Sequence, residues 1–332
     1  MLTLRYVLGV DGGGSKCDAV LLAEDGTVVG WGRGGPTSVW YDTPEVIEAS
    51  YADAVSGALA GVRGVRLWLS GHCRSPQARQ AIKAAGEVTG RSFAGESEVA
   101  YAAAREQWGL IVLAGTGSFV HLLTRDGRTR HAGGLGPVLG DYGSAHEIGL
   151  RGLRAAFSSE WLASRRTSLR EAIPAALGVE ALRDVFHLVY EAHALNRRAI
   201  AALARTVDRE AEGGDAIAIQ CIRGAADELA ELAVEVVAEM GVGDEELPVI
   251  ASGSVARHSR IWWEHVCARI AAAAPRMRPI IPPVPPVVGA ALVGLSAMGV
   301  TITDELMARI VQTQQRFLRA AAAAAENSQG GG

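Results

Sequence analysis

A carboxylate followed by three glycines, a serine and a lysine can hold a phosphate and its metal. Asp11–Lys16 reads DGGGSK. Glycine lets the backbone approach a ligand closely, and its free N–H groups can ring an anion. Asp11, at the mouth of such a turn, can hold a magnesium ion through water. A second turn, Gly115-Thr116-Gly117-Ser118, and a third, Ser252-Gly253-Ser254, follow later. Carboxylates stand at Glu96 and Glu98 in GESEVAYAAA and at Asp141 in GDYGS. DGGGSK is not a P-loop, which needs GxxxxGK[ST] leading into a helix. It is also a poor dinucleotide fingerprint, because those glycines must open a helix. On this stretch alone a ligand-free glycine hairpin stays open. Lys16 reads equally as a phosphate contact or a surface charge, and Glu98 as a base or a favourable charge in a first helical turn.

The elements around these residues repeat. An apolar run ends in Asp11, and Cys17–Ala23 is the strand after the turn. Glu24-Asp25-Gly26 turns the chain, and Thr27–Arg33 returns it. Later Leu110–Ala114 leads into GTGS, Phe119–Thr124 is a strand, Asp126-Gly127 is a turn and Arg128–Ala132 returns. Similar order and nearly equal spacing argue for duplication of one unit, the alternative being two unrelated hairpins. Between the copies, Pro44–Val62 and Pro76–Thr89 have helical character, Val65–Ser70 is a short strand, Phe93 lies in another, and Glu98–Glu106 is helical. Ser144 and Glu147 form a capping box, so a helix starts at Ser144 just behind Asp141. Residues 150–240 are mainly helical, most clearly Ala216–Met240 behind a cap at Asp215. Leu247–Ala251 is a strand, Ile261–Ala273 a helix, Pro279–Pro286 an extended stretch, and Val287–Ala291 a tightly packed helix start. A last helix covers Thr303–Ala325, and Asn327–Gly332 is expected to be disordered.

At 332 residues, 49% hydrophobic and 20% charged, the chain supports two domains with sizeable cores. A net charge of -4 gives no reason to expect nucleic acid or an anionic membrane as partner. Cys17, Cys73, Cys221 and Cys267 form no CxxC pair, so neither a zinc site nor a disulfide framework is indicated. No signal-peptide pattern opens the chain, and no apolar run reaches the roughly 18 residues that span a bilayer. A reducing cytoplasm fits. His72, His121 and His146 lack metal-ligand spacing and read as structural. Of Trp262 and Trp263, one is expected to pack inward.

Three small-residue turns, each after an apolar strand, resemble the phosphate-1, phosphate-2 and adenosine motifs of the actin/hexokinase/Hsp70 ATPase superfamily. Within it the chain resembles the BadF/BadG/BcrA/BcrD ATPase family, specifically its N-acetylglucosamine kinase branch. The residues that carry this are DGGGSK at 11–16, LAGTGS at 113–118, GGLGPVLGDYGSAHEIG at 133–149, SGSV at 252–255 and PVVGAA at 286–291. The resemblance implies an α/β fold of two RNase H-like, actin-like ATPase domains around an interdomain nucleotide cleft. Residues 1–114 would form the first domain and 115–326 the second, with a helical insertion and a last helix that packs back on the first. It implies ATP and Mg2+ as cofactors, with Asp11 attending the metal. Gly13, Gly14, Ser15, Lys16, Gly115, Thr116, Gly117 and Ser118 would hold phosphates, and Gly253 and Ser254 would border adenosine. Ser38, Trp40, Glu98, Gly134, Leu135, Gly136 and Asp141 would contact the sugar. A homodimer follows by analogy.

Three positions depart from the pattern. Glu98 stands where these kinases have their catalytic Asp, with Glu96 as a neighbouring competitor. Ser38 replaces a sugar-contacting Asn, although Trp40 matches, and Phe119 replaces an Asn after GTGS. The expected activity is phosphorylation of an amino sugar, N-acetylglucosamine to its 6-phosphate before glucosamine or others. A branch that activates radical acyl-CoA dehydratases and reductases by ATP hydrolysis is the competing reading, but its cluster cysteines are missing from LAGTGS. A non-catalytic sugar or nucleotide sensor is the third.

Overall fold

The computed structural model describes residues 4–192 and 194–329, with side chains to residue 320. In the first part of the chain, β1 (Arg5–Gly12), β2 (Cys17–Ala23) and β3 (Val28–Gly34) form an antiparallel meander. Next come α1 (Pro44–Ala58), β4 (Val65–Ser70), α2 (Pro76–Ala85), β5 (Gly86–Ser92) and α3 (Glu96–Ala104). Thr43 caps α1 and Ser75 caps α2, each with proline in the first turn, where a missing N–H costs nothing. The strands order β3-β2-β1-β4-β5, with β4 and β5 parallel to β1.

The chain then builds a second sheet from β6 (Gly109–Ala114), β7 (Ser118–Leu123) and β8 (Thr129–Gly133). A four-residue helix α4 (Gly136–Leu139) precedes α5 (Ala145–Trp161). The helical stretch continues through α6 (Leu169–Leu177), α7 (Leu182–Tyr190), α8 (Arg197–Ala202), α9 (Ala204–Glu212) and α10 (Ala216–Met240). β9 (Pro248–Ser252), α11 (Gly253–His258), α12 (Arg260–Ala273) and β10 (Arg278–Ile280) follow. The sheet order is β10-β9-β6-β7-β8, the same antiparallel meander with two parallel strands added on its other side. The repeated hairpins of the sequence are thus the leading parts of two sheets of one topology. Last come α13 (Pro286–Ala297) and α14 (Asp304–Gln329).

Two compact units result, one of Met1–Arg105 with Pro282–Gly332, the other Glu106–Ile281. The boundaries differ from the expected 1–114 and 115–326. β6 hydrogen-bonds to β7 and β9, so it belongs to the second unit. α13 and α14 complete the first, since alternate residues of β1 and β2 need cover on both faces of the sheet. Leu8, Val10 and Leu21 pack under α1 and α2 with Ile47 and Ile82. Val7, Val20 and Leu22 pack under α13 and α14 with Leu292 and Ile310. The second unit has its own core, built from β6, β7, α5, α10 and α12 around Leu110, Val120, Ile148, Leu229 and Trp262.

Three local expectations change. Gly86–Ser92 is a strand rather than the end of a helix. Gly86 stops α2, and Val88 and Thr89 are β-branched residues that suit a ladder beside β4. Trp262 and Trp263 are both buried and stack with each other at 6.5 Å. α14 runs on to Gln329, so 327–329 are helical, and 330–332 lie outside the described residues.

Candidate active site

In the first unit the DGGGS turn closes a hairpin in which Asp11 pairs with Asp18 and Gly12 with Cys17. Residues paired across strands project to the same face, so the two carboxyls are neighbours. Asp18 is buried and gripped by Lys16 Nζ at 2.5 Å and Arg33 Nε at 2.7 Å. Burial alone would raise its carboxyl, but these two cations outweigh it and hold the group below its usual range. Lys16, expected at a phosphate, therefore has its ammonium on Asp18. Asp11 differs. Burial first, then the charges of Asp18 and Glu96, push it up to about 6, against a smaller pull from Lys16. A desolvated carboxyl with two acidic neighbours is a place where a divalent cation relieves repulsion. No group of three His, Cys, Asp or Glu side chains forms a metal cage among the described residues. That suits a magnesium ion held by one carboxylate together with phosphate oxygens and water.

Gly13 N–H donates to the Lys16 carbonyl at 2.9 Å, and Thr37 N–H donates to the Gly13 carbonyl at 3.0 Å. A Cβ on Gly12 would sit 2.5 Å from Thr37 Oγ1 and 3.2 Å from Tyr51 Oη, so only glycine fits there. The loop after Thr37 closes on itself: Ser38 N–H donates to Asp42 Oδ2 at 3.0 Å, and Asp42 N–H donates to the Ser38 carbonyl at 2.9 Å. Trp40 stands out from it, 87% exposed.

The helix expected at Glu98 begins two residues earlier, at Glu96, with Gly95 as its cap. Both acids therefore fall in its first turn. Desolvation raises the Glu96 carboxyl, and its charge is felt at Asp11. Glu98 turns back over the helix start, with Oε2 2.6 Å from where a Gly95 Cβ would be. Both carboxylates are exposed at the start of α3, Glu96 with its charge felt at Asp11 and Glu98 turned toward Gly95, so the structure leaves two candidate bases there. α3 is held by α13: Gly289 lies against the Val99 carbonyl and the Ala103 side chain, where a larger residue has no room.

In the second unit GTGS is tied to everything near it. Gly115 N–H donates to the Gly117 carbonyl at 2.8 Å, and Ala145 N–H at the start of α5 donates to the Gly115 carbonyl at 2.8 Å. Ser118 Oγ donates to the Tyr142 carbonyl at 2.6 Å. Gly134 N–H donates to the Ser118 carbonyl at 2.9 Å. Gly253 and Ser254 border Gly115, which brings the second and third turns together. Asp141 is buried, with a φ of 59° that Asp tolerates better than most residues. Its Oδ1 accepts from Ser118 N–H at 3.2 Å and its Oδ2 from Arg197 at 2.9 Å. Both oxygens lie 2.9 Å from where a Gly117 Cβ would be. The residue expected to grip a sugar thus braces the glycine turn. Gly134 and Leu135 form an exposed loop leading into α4 at Gly136, with Leu135 65% exposed. Phe119 is buried against His131, ring centroids 4.8 Å apart. His146 is buried as well, and desolvation, aided by Arg197, lowers its pKa.

Sequence reasoning missed Thr37, Tyr51 and Arg197. Tyr51 was legible as an inward residue of α1, spaced with Ile47 and Ala54, but not as a neighbour of Gly12. Arg197 lies 56 residues from Asp141, and no local pattern joins them.

Among curated proteins, an N-acetylmuramic acid/N-acetylglucosamine kinase of Clostridium acetobutylicum is 25% identical over 263 residues, covering 76% of this chain and 86% of that protein. An N-acetyl-D-glucosamine kinase of Dictyostelium discoideum is 27% identical over 191 residues, covering 57% of this chain and 60% of that one. A ROK family glucokinase from Streptomyces griseus, solved with glucose and AMPPNP, shares the fold. Its TM-score is 0.56 at 16% identity, over 88% of this chain and 98% of that one. Residues 8–294 match the BadF/BadG/BcrA/BcrD ATPase family. Because that match takes in both glycine turns, Glu96, Asp141 and most of α13, the chain belongs to the BadF/BadG/BcrA/BcrD ATPase family.

Proposed function

We propose that the protein is an ATP-dependent kinase of amino sugars that carries N-acetylglucosamine to its 6-phosphate, with glucosamine and N-acetylmuramic acid as the acceptors to compare. The observation that carries this is the Glu96 carboxylate at the exposed start of α3, whose charge is felt at Asp11 beside a glycine turn. The kinase names of the relatives support it. The acceptor hydroxyl oxygen attacks the γ-phosphorus in line, the bond from that phosphorus to the β–γ bridging oxygen breaks, and ADP leaves. Glu96 accepts the hydroxyl proton, a role that a carboxyl raised above its ordinary value suits. A magnesium ion attended by Asp11 would supply charge neutralisation on the phosphoryl oxygens.

In the first unit, Gly13, Gly14 and Ser15 are the groups for nucleotide phosphate. Ser38 and Trp40 are those for the sugar. In the second, Gly115, Thr116 and Gly117 serve phosphate, and Gly253 and Ser254 serve adenosine. Gly134, Leu135 and Gly136 offer backbone groups to the sugar, with Asp141 behind them holding the turn. The activator reading loses support because LAGTGS carries no cysteine.

The test is ADP release with magnesium-ATP over N-acetylglucosamine, glucosamine, N-acetylmuramic acid, N-acetylmannosamine and glucose. Sugar-dependent release is expected. Glu96→Gln should lower kcat about 10²- to 10⁴-fold at a similar sugar KM, the usual range for a lost general base. Glu98→Gln should stay within about threefold, as expected of an exposed charge in a first turn. Steady release without sugar would point to an ATPase instead. A larger loss in Glu98→Gln than in Glu96→Gln would return the base to Glu98.

A further inference from the structure

The first glycine turn is not self-supporting. Its Gly13 carbonyl accepts from Thr37 N–H at 3.0 Å and lies 3.5 Å from Thr37 Oγ1. Thr37 Oγ1 and Tyr51 Oη fill the space where a side chain on Gly12 would lie. Tyr51 and Thr37 share a side-chain hydrogen bond. Both are buried, 7% and 9% exposed, which fixes their hydroxyls with few alternative partners. Thr37 also immediately precedes the closed loop of residues 38–42, which carries Ser38 and Trp40. The same residue therefore touches the phosphate turn with its side chain and leads directly into the loop assigned to the sugar.

We infer that Thr37 and Tyr51 are positioning residues that set the DGGGS turn and couple it to the 38–42 loop, so that an amino sugar on the loop alters the affinity of the turn for a nucleoside diphosphate. This rests on the sugar-kinase reading. A displacement of the loop must pull on Thr37, whose Oγ1, set against Gly12, the Gly13 carbonyl and Tyr51, passes the shift to the turn beside its N–H bond. Tyr51, anchored among the apolar residues of α1, limits how far Thr37 can follow. A coupling free energy of this kind acts in both directions, so the nucleotide must change sugar affinity by the same factor.

The experiment is calorimetric titration of the full chain with magnesium-ADP, with and without saturating N-acetylglucosamine. The variants are Thr37→Val, Thr37→Ser and Tyr51→Phe. In wild type, sugar is expected to change the ADP dissociation constant about fivefold or more, the lower range of such couplings. Thr37→Val keeps the side-chain shape but lacks the hydroxyl. It should weaken ADP binding about three- to tenfold, the worth of one or two hydrogen bonds, and shrink the sugar effect, since only the backbone bond to Gly13 then remains. Thr37→Ser should restore both, which a role confined to packing of the methyl group would not. Tyr51→Phe should fall between. A wild-type sugar effect of one overturns the coupling. Unchanged ADP affinity in both Thr37→Val and Tyr51→Phe overturns the positioning role. If wild type shows no sugar-dependent ADP release, the kinase reading fails, yet the ADP arm without sugar still decides whether Thr37 and Tyr51 set the turn.

Discussion

At the scale of single residues, three acids near one another have been given different tasks by their surroundings. Asp18 is held ionised by Lys16 and Arg33, Asp11 is pushed up to about 6, and Glu96 is raised by desolvation. A base works in its deprotonated form. Raising the pKa of Glu96 therefore moves the acid limb of kcat/KM above the pH at which an ordinary glutamate, near 4.5, would lose its charge. A pH profile of sugar-dependent turnover checks this, and a limb at or below 4.5 would exclude Glu96 as the titrating base. The sequence showed that an acid stood near residue 96 but not which one. Glu96 and Glu98 are two residues apart, and both fall in the first turn of α3. Asp141 stood out in the sequence just ahead of the Ser144 cap, while its bond to Arg197 did not, because the partner lies on a helix far along the chain.

At the scale of elements, helix starts with a side-chain cap were the most legible features, since their determinants are local. Asp215 accepts from Ala218 N–H at 2.8 Å and is the cap of α10, as the sequence indicated. It also accepts from Ser168 N–H at 2.6 Å and from Thr167 Oγ1 at 2.8 Å. Burial would raise its carboxyl, but these bonds prevail and hold it below 3.8. A depressed pKa gives stability that is present above 3.8 and is lost as pH falls through the folded value. Asp215→Ala should cost about 1 kcal/mol at pH 7, a typical value for a lost cap. The difference in urea midpoint should shrink below pH 3.8, and a difference that persists in acid would contradict this. Strand β5 was misread because Pro76 and Ser75 signal a helix strongly, whereas the stop at Gly86 depends on pairing with β4. The contact between α13 and α3 gives another expectation. Gly289→Val drives two methyl groups into the Val99 carbonyl and Ala103. It should destabilise by about 1–3 kcal/mol, as overpacking does, and lower kcat by moving the helix that carries Glu96. Thermal unfolding and steady-state kinetics of one preparation would show both effects or refute the link.

At the scale of the whole molecule, the duplicated sheet order was legible as two similar hairpins, but the return of the chain to its first unit was seen only in part. α14 buries Leu306, Met307 and Ile310, its Thr313 Oγ1 accepts from Val28 N–H at 3.0 Å, and Phe317 lies over Trp31 at 6.4 Å. Ending the chain at residue 303 removes three buried apolar side chains worth about 1.5–3 kcal/mol each, much of a typical domain's net stability. The shortened protein should be cut rapidly by protease within residues 1–105, and wild-type resistance there would refute this dependence. The split also bears on synthesis. Because α13 and α14 come last, one face of the β1–β5 sheet has no cover until about 180 further residues have been made. At 5–20 residues per second that interval is roughly 10–40 s. The inserted second unit is continuous and can fold during it, while the sheet that carries Asp11 waits with Val7, Val20 and Leu22 in water. A cell making this protein must shield that face for the length of the wait, and the yield of active enzyme becomes a matter of translation speed and chaperone supply as much as of equilibrium stability.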